Sequence, residues 1–218
     1  MSRIKAIFFD IGNVLVKLRT EAFLDRMATV CDPRWDRAAI LEAIREPEGP
    51  HIEYERGRID GPAFHQHLVQ RFGLSLDYRQ WLDVWNNYFQ PNRPMEALLA
   101  RLQGQAPFYA LSNTNAEHLA SLKLNYRLFD HFAGIIASNE VGARKPEKAI
   151  YEATLALAGV EAGEALYIDD LGRLIEASRG FGLNAFHYTF NDGELRQALL
   201  DYGFELPSLD GRSPNIFC

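Results

Sequence analysis

Short apolar segments alternate with helical patterns through most of the chain. Five segments are largely apolar, and most of them end at small or polar residues: Ile4–Phe9, Phe108–Leu111, Gly134–Ala137, Ala165–Ile168 and Ala185–Tyr188. Between them, apolar residues recur at helical spacing, as in 150–158 and 174–181. Strands that alternate with helices are typical of βαβ units. We therefore predict an α/β fold with an open, Rossmann-like parallel sheet of about five strands.

The stretch from 17 to 90 has a different pattern. It contains no convincing strand, and its apolar residues recur at three- and four-residue spacing in three stripes: Leu24, Met27, Ala28 and Cys31; Phe64, Leu68 and Phe72; and Trp81, Val84, Trp85 and Tyr88. This spacing predicts amphipathic helices. We predict two domains, an α/β core formed by 1–16 and 91–218 and an all-helical cap formed by 17–90.

Polar residues follow the predicted strands at their carboxyl ends. Asp10 follows the first segment, Ser112 follows the second, and Asp169 and Asp170 follow the fourth. In open parallel sheets, ligands bind beyond the carboxyl ends of the strands, near the point where the strand order reverses. The sequence therefore predicts a binding site that includes these four residues.

These residue types suit phosphoryl transfer. An aspartate at a strand end can act as a nucleophile, and the pair Asp169 and Asp170 offers oxygen ligands to a hard cation, most simply Mg²⁺. Lys145 can neutralise a phosphoryl oxygen, and the Ser112 hydroxyl can hold another. Phosphoryl transfer requires little more than positioning and charge stabilisation.

Composition restricts the partners. The chain has 218 residues and a formal net charge of −6, which argues against binding to nucleic acid because no basic face is available to release counterions. No apolar run approaches the ~20 residues of a membrane span. The chain has two cysteines, Cys31 and Cys218, which argues against a disulfide framework. We expect a soluble cytoplasmic protein, and nothing in the sequence indicates an oligomeric state.

Four segments in order carry a resemblance to a known family. They are Asp-Ile-Gly-Asn-Val at 10–14, Leu-Ser-Asn-Thr at 111–114, Arg-Lys-Pro-Glu at 144–147 and Tyr-Ile-Asp-Asp at 167–170. Together they resemble the four motifs of the haloacid dehalogenase-like hydrolase superfamily. The 102 positions from Asp10 to Ser112 resemble the branch in which a helical cap follows the first motif.

The resemblance implies a role for each matching position. Asp10 would attack phosphorus, and Mg²⁺ would be bound by the Asp10 carboxylate, the Gly12 backbone carbonyl and the Asp170 carboxylate. Asp169 would support the metal site directly or through water. Ser112 and the backbone amide of Asn113 would hold the phosphoryl group, and Lys145 would offset the charge of nucleophile and phosphate. The implied activity is a Mg²⁺-dependent phosphatase acting on a small phosphorylated metabolite.

Gly12 departs from the common pattern of the family's phosphatases. Most of them have a second aspartate at this position, which protonates the leaving group and then activates water; a missing general acid–base costs about 10²–10⁴ in rate. The variant at 10–14 also resembles a bacterial branch that includes a phosphatase acting on glucose 1-phosphate, so sugar phosphates are one substrate class to test.

Two other functions stay open. A 2-haloacid dehalogenase would use the same aspartate on carbon without a metal, although Asp169 and Asp170 would then repel its carboxylate substrate. A catalytically weak metabolite-binding or interaction protein is the other alternative, and Gly12 is its main support. The charged segment Tyr54–Gly57 indicates a helix end or turn of the cap; we interpret it as a solvated turn, and the alternative is that its charges face a substrate.

Overall fold

A five-stranded parallel sheet forms the centre of the molecule, as the sequence predicts. The computed structural model describes residues 3–207. Its strands are β1 (Ala6–Phe9), β2 (Val16–Leu18), β3 (Phe89–Pro91), β4 (Phe108–Ser112), β5 (Gly134–Ala137), β6 (Ala165–Asp169) and β7 (Asn184–His187). The strand order of the sheet is β5-β4-β1-β6-β7, and every neighbouring pair is parallel.

Helices cover the sheet and form a separate group after β2. The α-helices within 3–207 are α1 (Thr20–Val30), α2 (Arg37–Ile44), α3 (Pro50–Glu55), α4 (Gly61–Phe72), α5 (Tyr78–Asn86), α6 (Arg93–Leu102), α7 (Ala116–Asn125), α8 (Ser138–Val141), α9 (Lys148–Ala158), α10 (Gly172–Gly180) and α11 (Asp192–Asp201). We refer to α1–α5 as the helical insertion, because these helices lie between the short strands β2 and β3.

Burial on both faces explains why the strands are apolar throughout. Every residue of β1, β4 and β6 is buried. Along β1, Ile7 and Phe9 belong to one apolar cluster, whereas Ala6 and Phe8 belong to another. Alternate side chains of a strand point to opposite faces, so the sheet separates two hydrophobic layers, each covered by helices.

The helical insertion has an apolar core of its own. The three stripes predict this core correctly: Leu24 and Met27, then Phe64, Leu68 and Phe72, then Trp81 and Trp85 all lie in one buried cluster. Helix α5 begins at a capping box in which Asp77 and Gln80 satisfy each other's backbone amides, an arrangement that stabilises a helix start. Cys31 is buried here and is a free thiol; Cys218 lies outside the described residues.

The prediction that no strand occurs near the ends of the insertion is wrong. Strands β2 and β3 form an antiparallel pair, with Val16 opposite Pro91 and Leu18 opposite Phe89. Each strand has three residues, too few for an alternating pattern to be recognised. The pair brings the chain's exit to the insertion and its return from it side by side.

The central strand β1 marks the point where the strand order reverses. The chain passes from β1 to β4 and β5 on one side, and then to β6 and β7 on the other. Phe9 is paired with Ala110 of β4 and with Ile168 of β6. The carboxyl ends of β1, β4 and β6 therefore meet at one edge, where a ligand site is expected.

Candidate active site

Three carboxylates meet at the carboxyl ends of the central strands. Asp10 follows β1, Asp169 is the last residue of β6, and Asp170 comes next. One carboxylate oxygen of each lies within 4.8 Å of the others. Ser112, the last residue of β4, lines the same cavity. The four polar residues predicted from the strand ends are thus brought together.

Lys145 lies at the centre of this group. Its Nζ lies 2.8 Å from Asp10 Oδ1 and 2.8 Å from Asp169 Oδ2, and it donates to the carbonyl oxygen of Leu111 at 3.1 Å. The residue is 2% exposed. An ammonium group has three N–H donors, and all three have acceptors here.

Asn113 holds the backbone of Lys145. Its Oδ1 accepts from the Lys145 amide at 2.7 Å, and its Nδ2 donates to the Lys145 carbonyl at 3.0 Å. From the sequence we assigned only the backbone amide of Asn113 to the site. The structure adds a positioning role for its side chain, across a separation of 32 residues.

Asp169 differs from its two neighbours because both of its oxygens have partners. Oδ2 accepts from Lys145 and from the hydroxyl of Tyr167, and Oδ1 accepts from the Leu171 amide at 2.8 Å. The residue is fully buried. This arrangement suits a carboxylate that holds Lys145 in place and supports the site from beneath. Tyr167 was not identified from the sequence, because a tyrosine within a buried strand gives no functional signal.

The charges of the site are unbalanced towards negative. Burial raises the pKa of Asp10 to about 7; Lys145 opposes this shift, whereas Asp169 and Asp170 add to it. Burial alone would lower the pKa of Lys145, but Asp10 and Asp169 outweigh burial and hold it above its usual value. Three carboxylates therefore share one ammonium group. A divalent cation would restore the balance.

The donor set fits Mg²⁺ in particular. Mg²⁺ prefers oxygen ligands, and carboxylates are its usual protein ligands. Asp10 Oδ1 is held by Lys145 and the Ile11 amide, which leaves Oδ2 without a hydrogen-bond partner among residues 3–207. Asp170 is half-buried, and burial raises its pKa. Asp10 and Asp170 are therefore the carboxylates best placed to hold the ion.

Asn13 is a further residue of the site that the sequence reasoning missed. Its Nδ2 donates to Asp170 Oδ2 at 3.0 Å, and its Oδ1 accepts from the Leu18 amide at 3.3 Å. Its φ is 59°, in the left-handed region that asparagine tolerates better than most residues. Asparagine after glycine signals such a turn, but only the fold shows that this turn orients Asp170.

Gly12 lines the cavity, and Leu18 occupies the space next to it. A Cβ atom added at Gly12 would lie 3.3 Å from Leu18 Cδ1, which is close enough that Leu18 would have to shift. An apolar side chain from β2 thus lies against the position where a side chain at residue 12 would begin.

A cavity of about 740 Å³ lies between the strand ends and the helical insertion. Asp10, Ser112, Lys145 and Asp170 line it on the side of the sheet. Helices α1, α2, α3 and α5 contribute the opposite wall. The volume is within the range typical of small-molecule sites.

The segment Tyr54–Gly57 is not a solvated turn, contrary to the sequence-based interpretation. Tyr54 and Glu55 are buried. Glu55 Oε2 lies 2.7 Å from Arg144, next to Lys145, and Arg56 lies 2.6 Å from Glu147. The charges of this turn satisfy those of the segment around Lys145, a pairing between residues 89 and 91 positions apart. We call these two ion pairs the clasp.

The comparison with protein families decides the identity of the fold. Residues 4–182 match the family model described as haloacid dehalogenase-like hydrolase. The chain belongs to the haloacid dehalogenase-like hydrolase family. The four segments that resemble its motifs all lie within the matched residues.

Two curated relatives of this haloacid dehalogenase-like hydrolase are phosphatases. The sesquiterpene phosphatase astK of Aspergillus oryzae is 26% identical over 196 residues, which cover 85% of this chain and 90% of the relative. The D-ribitol-5-phosphate phosphatase of Bacteroides thetaiotaomicron is 25% identical over 208 residues, which cover 90% of this chain and 97% of the relative.

A solved structure shares the fold of this hydrolase. It is a haloacid dehalogenase family enzyme of Bacteroides thetaiotaomicron in complex with magnesium and inorganic phosphate, with a TM-score of 0.74 and 24% identity. The similarity covers 84% of this chain and 93% of that one.

Within 3–207, none of the helices is both long and apolar enough to cross a membrane.

Proposed function

We propose that this hydrolase is a Mg²⁺-dependent phosphatase that hydrolyses monoesters of small phosphorylated metabolites through an aspartyl-phosphate on Asp10. The position of Asp10 carries the proposal. Its buried carboxylate lies at the end of the central strand, 2.8 Å from Lys145, with Asp170 beside it. An aspartate that a lysine orients in this way can act as a nucleophile on phosphorus.

In the first step, ionised Asp10 attacks. A carboxylate oxygen bonds to phosphorus, the bond from phosphorus to the ester oxygen breaks, and the alcohol departs with the electron pair. The departing oxygen takes its proton from water, because position 12 carries no acidic side chain. Alcohols that leave easily without protonation are therefore favoured.

In the second step, water attacks the phosphorus of the aspartyl-phosphate. The bond to Asp10 breaks, inorganic phosphate is released and the carboxylate is restored. Lys145 offsets negative charge in both steps, and Asp169 positions it. The Ser112 hydroxyl and the backbone amide of Asn113 hold phosphoryl oxygens.

Asp10, Asp170 and the backbone carbonyl of Gly12 would hold the metal ion. Bound Mg²⁺ supplies positive charge that offsets the phosphoryl oxygens. The unbalanced negative charge of the site supports this assignment, as do oxygens of Asp10, Asp169 and Asp170 within 4.8 Å of one another. Asp169 would act through Lys145, since both of its oxygens already accept hydrogen bonds.

The proposal includes the domain organisation. The stretch 17–90 is the cap, and 1–16 with 91–218 is the catalytic core. The separate apolar core of the helical insertion supports the division. A cytoplasmic location and the absence of a nucleic-acid partner stay predictions from composition.

The names of the two relatives leave the substrate class open. One relative is named for a sesquiterpene substrate and the other for a polyol phosphate. Both are phosphatases, which supports phosphate-ester hydrolysis here. A dehalogenase is less well supported, because Asp170 would repel a carboxylate substrate unless a cation neutralised it.

Phosphate release from a panel of small esters, with Mg²⁺ and with EDTA, tests the proposal. Acetyl phosphate and p-nitrophenyl phosphate serve as reactive probes, and glucose 1-phosphate represents the sugar phosphates. We expect release that requires Mg²⁺ and that is abolished in Asp10→Asn, because an amide cannot form the acyl-phosphate. Asp130→Asn, an exposed change of the same type, should retain activity.

Three results would contradict the proposal. Normal turnover in Asp10→Asn would exclude the aspartyl-phosphate route. Metal-independent chloride release from 2-chloropropionate, without phosphate release from any ester, would identify a dehalogenase. Binding of esters without any turnover would identify the weak-binding alternative.

A further inference from the structure

The wall of the cavity formed by the helical insertion is largely apolar. The side chains that matter most come from four helices and the segment after them: Phe23, Leu41, Ile44, Ile52, Trp85 and Tyr88. On the core side, Leu18 of β2 and Leu171 extend the apolar surface towards the carboxylates. A substrate with its phosphate at Asp10 would direct its organic group towards these side chains.

Ile52 shows that this surface is available to a ligand. It lines the cavity and is half-buried, yet it belongs to none of the three apolar clusters of the described residues. Leu41 and Ile44 are also half-buried and line the cavity beside it. Apolar side chains that are left incompletely packed around a cavity gain stabilisation when an apolar ligand covers them.

Most polar groups on this wall, and on α7 (Ala116–Asn125) beside it, already have partners. The Thr20 hydroxyl pairs with the Tyr88 hydroxyl at 3.0 Å, and Glu55 pairs with Arg144 in the clasp. The Nε2 of His118 lies 3.0 Å from the Trp85 carbonyl oxygen, and its Nδ1 lies 3.2 Å from Asn115 Nδ2. These groups cannot serve several substrate hydroxyls without giving up the bonds they make.

His51 and Arg45 are the remaining polar side chains on this wall. His51 lies 3.9 Å from Glu55, a separation longer than a hydrogen bond, and Arg45 is exposed. A polyol chain buried here would leave most of its hydroxyls without partners, which is unfavourable. An apolar chain would meet a surface that matches it.

We propose that the substrate is the phosphate monoester of a bulky apolar alcohol, of isoprenoid size and polarity, with its chain against α2 and α3. The inference rests on the proposed phosphatase function and specifies its substrate. The volume of about 740 Å³ suits an organic group much larger than the phosphate itself, since cavities of about 300–1,000 Å³ hold drug-sized ligands.

A comparison of two phosphate monoesters and one acyl phosphate, all with Mg²⁺, tests the substrate class. Geranyl phosphate represents an apolar alcohol, ribitol 5-phosphate a polyol, and acetyl phosphate a minimal probe of the chemistry. Concentrations are kept where each ester is monomeric. We expect kcat/KM for geranyl phosphate to exceed that for ribitol 5-phosphate at least ~10-fold, mainly through KM, because the difference lies in binding the organic group.

The outcomes separate the two proposals. If none of the three compounds is hydrolysed, the phosphatase proposal fails and the substrate proposal fails with it. If acetyl phosphate is hydrolysed but ribitol 5-phosphate equals or exceeds geranyl phosphate, only the apolar substrate class is overturned.

Ile52→Asn tests the wall itself. It places an amide on the apolar surface, so we expect KM for geranyl phosphate to rise ~10-fold and the preference over ribitol 5-phosphate to shrink. Val69→Asn is the matched control, because Val69 is exposed on α4 of the same insertion and does not line the cavity. Unchanged KM for geranyl phosphate in a folded Ile52→Asn protein would overturn the proposal.

Equilibrium binding gives a readout without turnover. Trp85 lines the cavity, so ligand binding to the enzyme in EDTA can be followed by tryptophan fluorescence. We expect a Kd for geranyl phosphate at least ~10-fold below that for ribitol 5-phosphate. Equal binding, or tighter binding of the polyol ester, would overturn the proposal.

Discussion

The two walls of the cavity are built on different principles. On the side of the sheet, buried charges are held by several hydrogen bonds each, and backbone groups of Leu111, Leu171 and Ile11 take part. On the side of the helical insertion, the wall consists mainly of apolar side chains with few free polar groups. The first arrangement fixes the position and orientation of the reacting groups. The second distinguishes ligands by the size and polarity of their organic group, and it can change without altering the chemistry.

We call the cavity wall on the side of the sheet the charged wall. The largest loss of activity is expected when this wall loses Lys145. Lys145→Met leaves Asp10 and Asp169 buried without their counter-charge, and breaking a buried ion pair costs about 3–5 kcal/mol. We expect kcat to fall at least ~10³-fold and the free energy of unfolding to fall in the same variant. Turnover and urea unfolding measure the two effects.

Lys148→Met is the control for Lys145→Met. Lys148 is exposed and pairs with Glu152 in the next turn of α9, and such pairs contribute about 0–1 kcal/mol. Wild-type activity and stability in Lys145→Met would contradict the assigned role.

Removing one carboxylate from the charged wall should weaken metal binding. In Asp170→Asn we expect the Mg²⁺ concentration for half-maximal activity to rise about 10–100-fold, because changes around metal sites have effects of this size. Magnesium titration by calorimetry measures binding directly. The exposed change Asp201→Asn should leave binding unchanged, and an unchanged Mg²⁺ requirement in Asp170→Asn would remove this residue from the metal site.

His118 tests whether water is excluded from the junction between the two walls. Its ring stacks on Trp85 at 4.8 Å, and burial lowers its pKa to about 3. Because the folded-state pKa is below the unfolded-state value of about 6.5, the unfolded chain binds the extra proton. The contribution is fully present above pH ~6.5 and is lost as the pH falls from there towards 3.

We therefore expect His118→Gln to flatten the dependence of stability on pH between 7 and 4.5, by about 2 kcal/mol over that interval. Urea unfolding at several pH values measures the slope. His67→Gln is the control, because His67 is only partly buried and should change the slope less. An unchanged slope in His118→Gln would mean that water reaches this ring.

Gly12 and Leu18 allow the charged wall to be extended. Gly12→Asp combined with Leu18→Ala restores a carboxylate at position 12 and removes the side chain that crowds it. We expect turnover of esters with poor leaving groups to rise about 10-fold, which is part of the roughly 10²–10⁴-fold that a well-placed general acid–base contributes. Acetyl phosphate should gain less, because its leaving group needs little protonation.

The two single variants separate the effect of the added carboxylate from the effect of removing the Leu18 side chain. Leu18→Ala alone should not give the gain, and Gly12→Asp alone should give less than the pair. No gain in the double variant would mean that another group already supplies the proton.

The smallest effect on activity and stability is expected from a change in the clasp, which joins the two walls. Glu55→Gln keeps the shape of the clasp but removes the charge that faces Arg144. We expect a loss of about 1 kcal/mol in stability and a several-fold rise in KM, as Arg144 precedes Lys145. Glu152→Gln, which alters the exposed pair with Lys148 on α9, is the control. A KM equal to that of the wild type would show that the clasp is structural only.

Much of the charged wall could be predicted because its signals are local. Asp10, Ser112 and Asp169 each follow a short apolar strand, and the geometry of a parallel sheet requires the ends of neighbouring strands to meet. Lys145 has no local signal of this kind; only its place in the ordered set of motifs indicated it. The three stripes of the helical insertion were predicted for the same local reason, since helical periodicity is a property of a few consecutive turns.

The remaining features depend on contacts between residues far apart in the chain. Lys145 reaches Asp169 across 24 positions, and Asn113 holds the backbone of Lys145 across 32. Glu55 pairs with Arg144 across 89 positions. The antiparallel pair of β2 and β3 depends on a similar long-range contact. The apolar wall could not be predicted from the sequence either. The stripes indicate that these helices bury apolar side chains, but they do not indicate which of these side chains stay uncovered at the cavity. Periodicity and motif order thus determined the fold class and the acidic site, whereas packing decided which groups are free to meet a substrate.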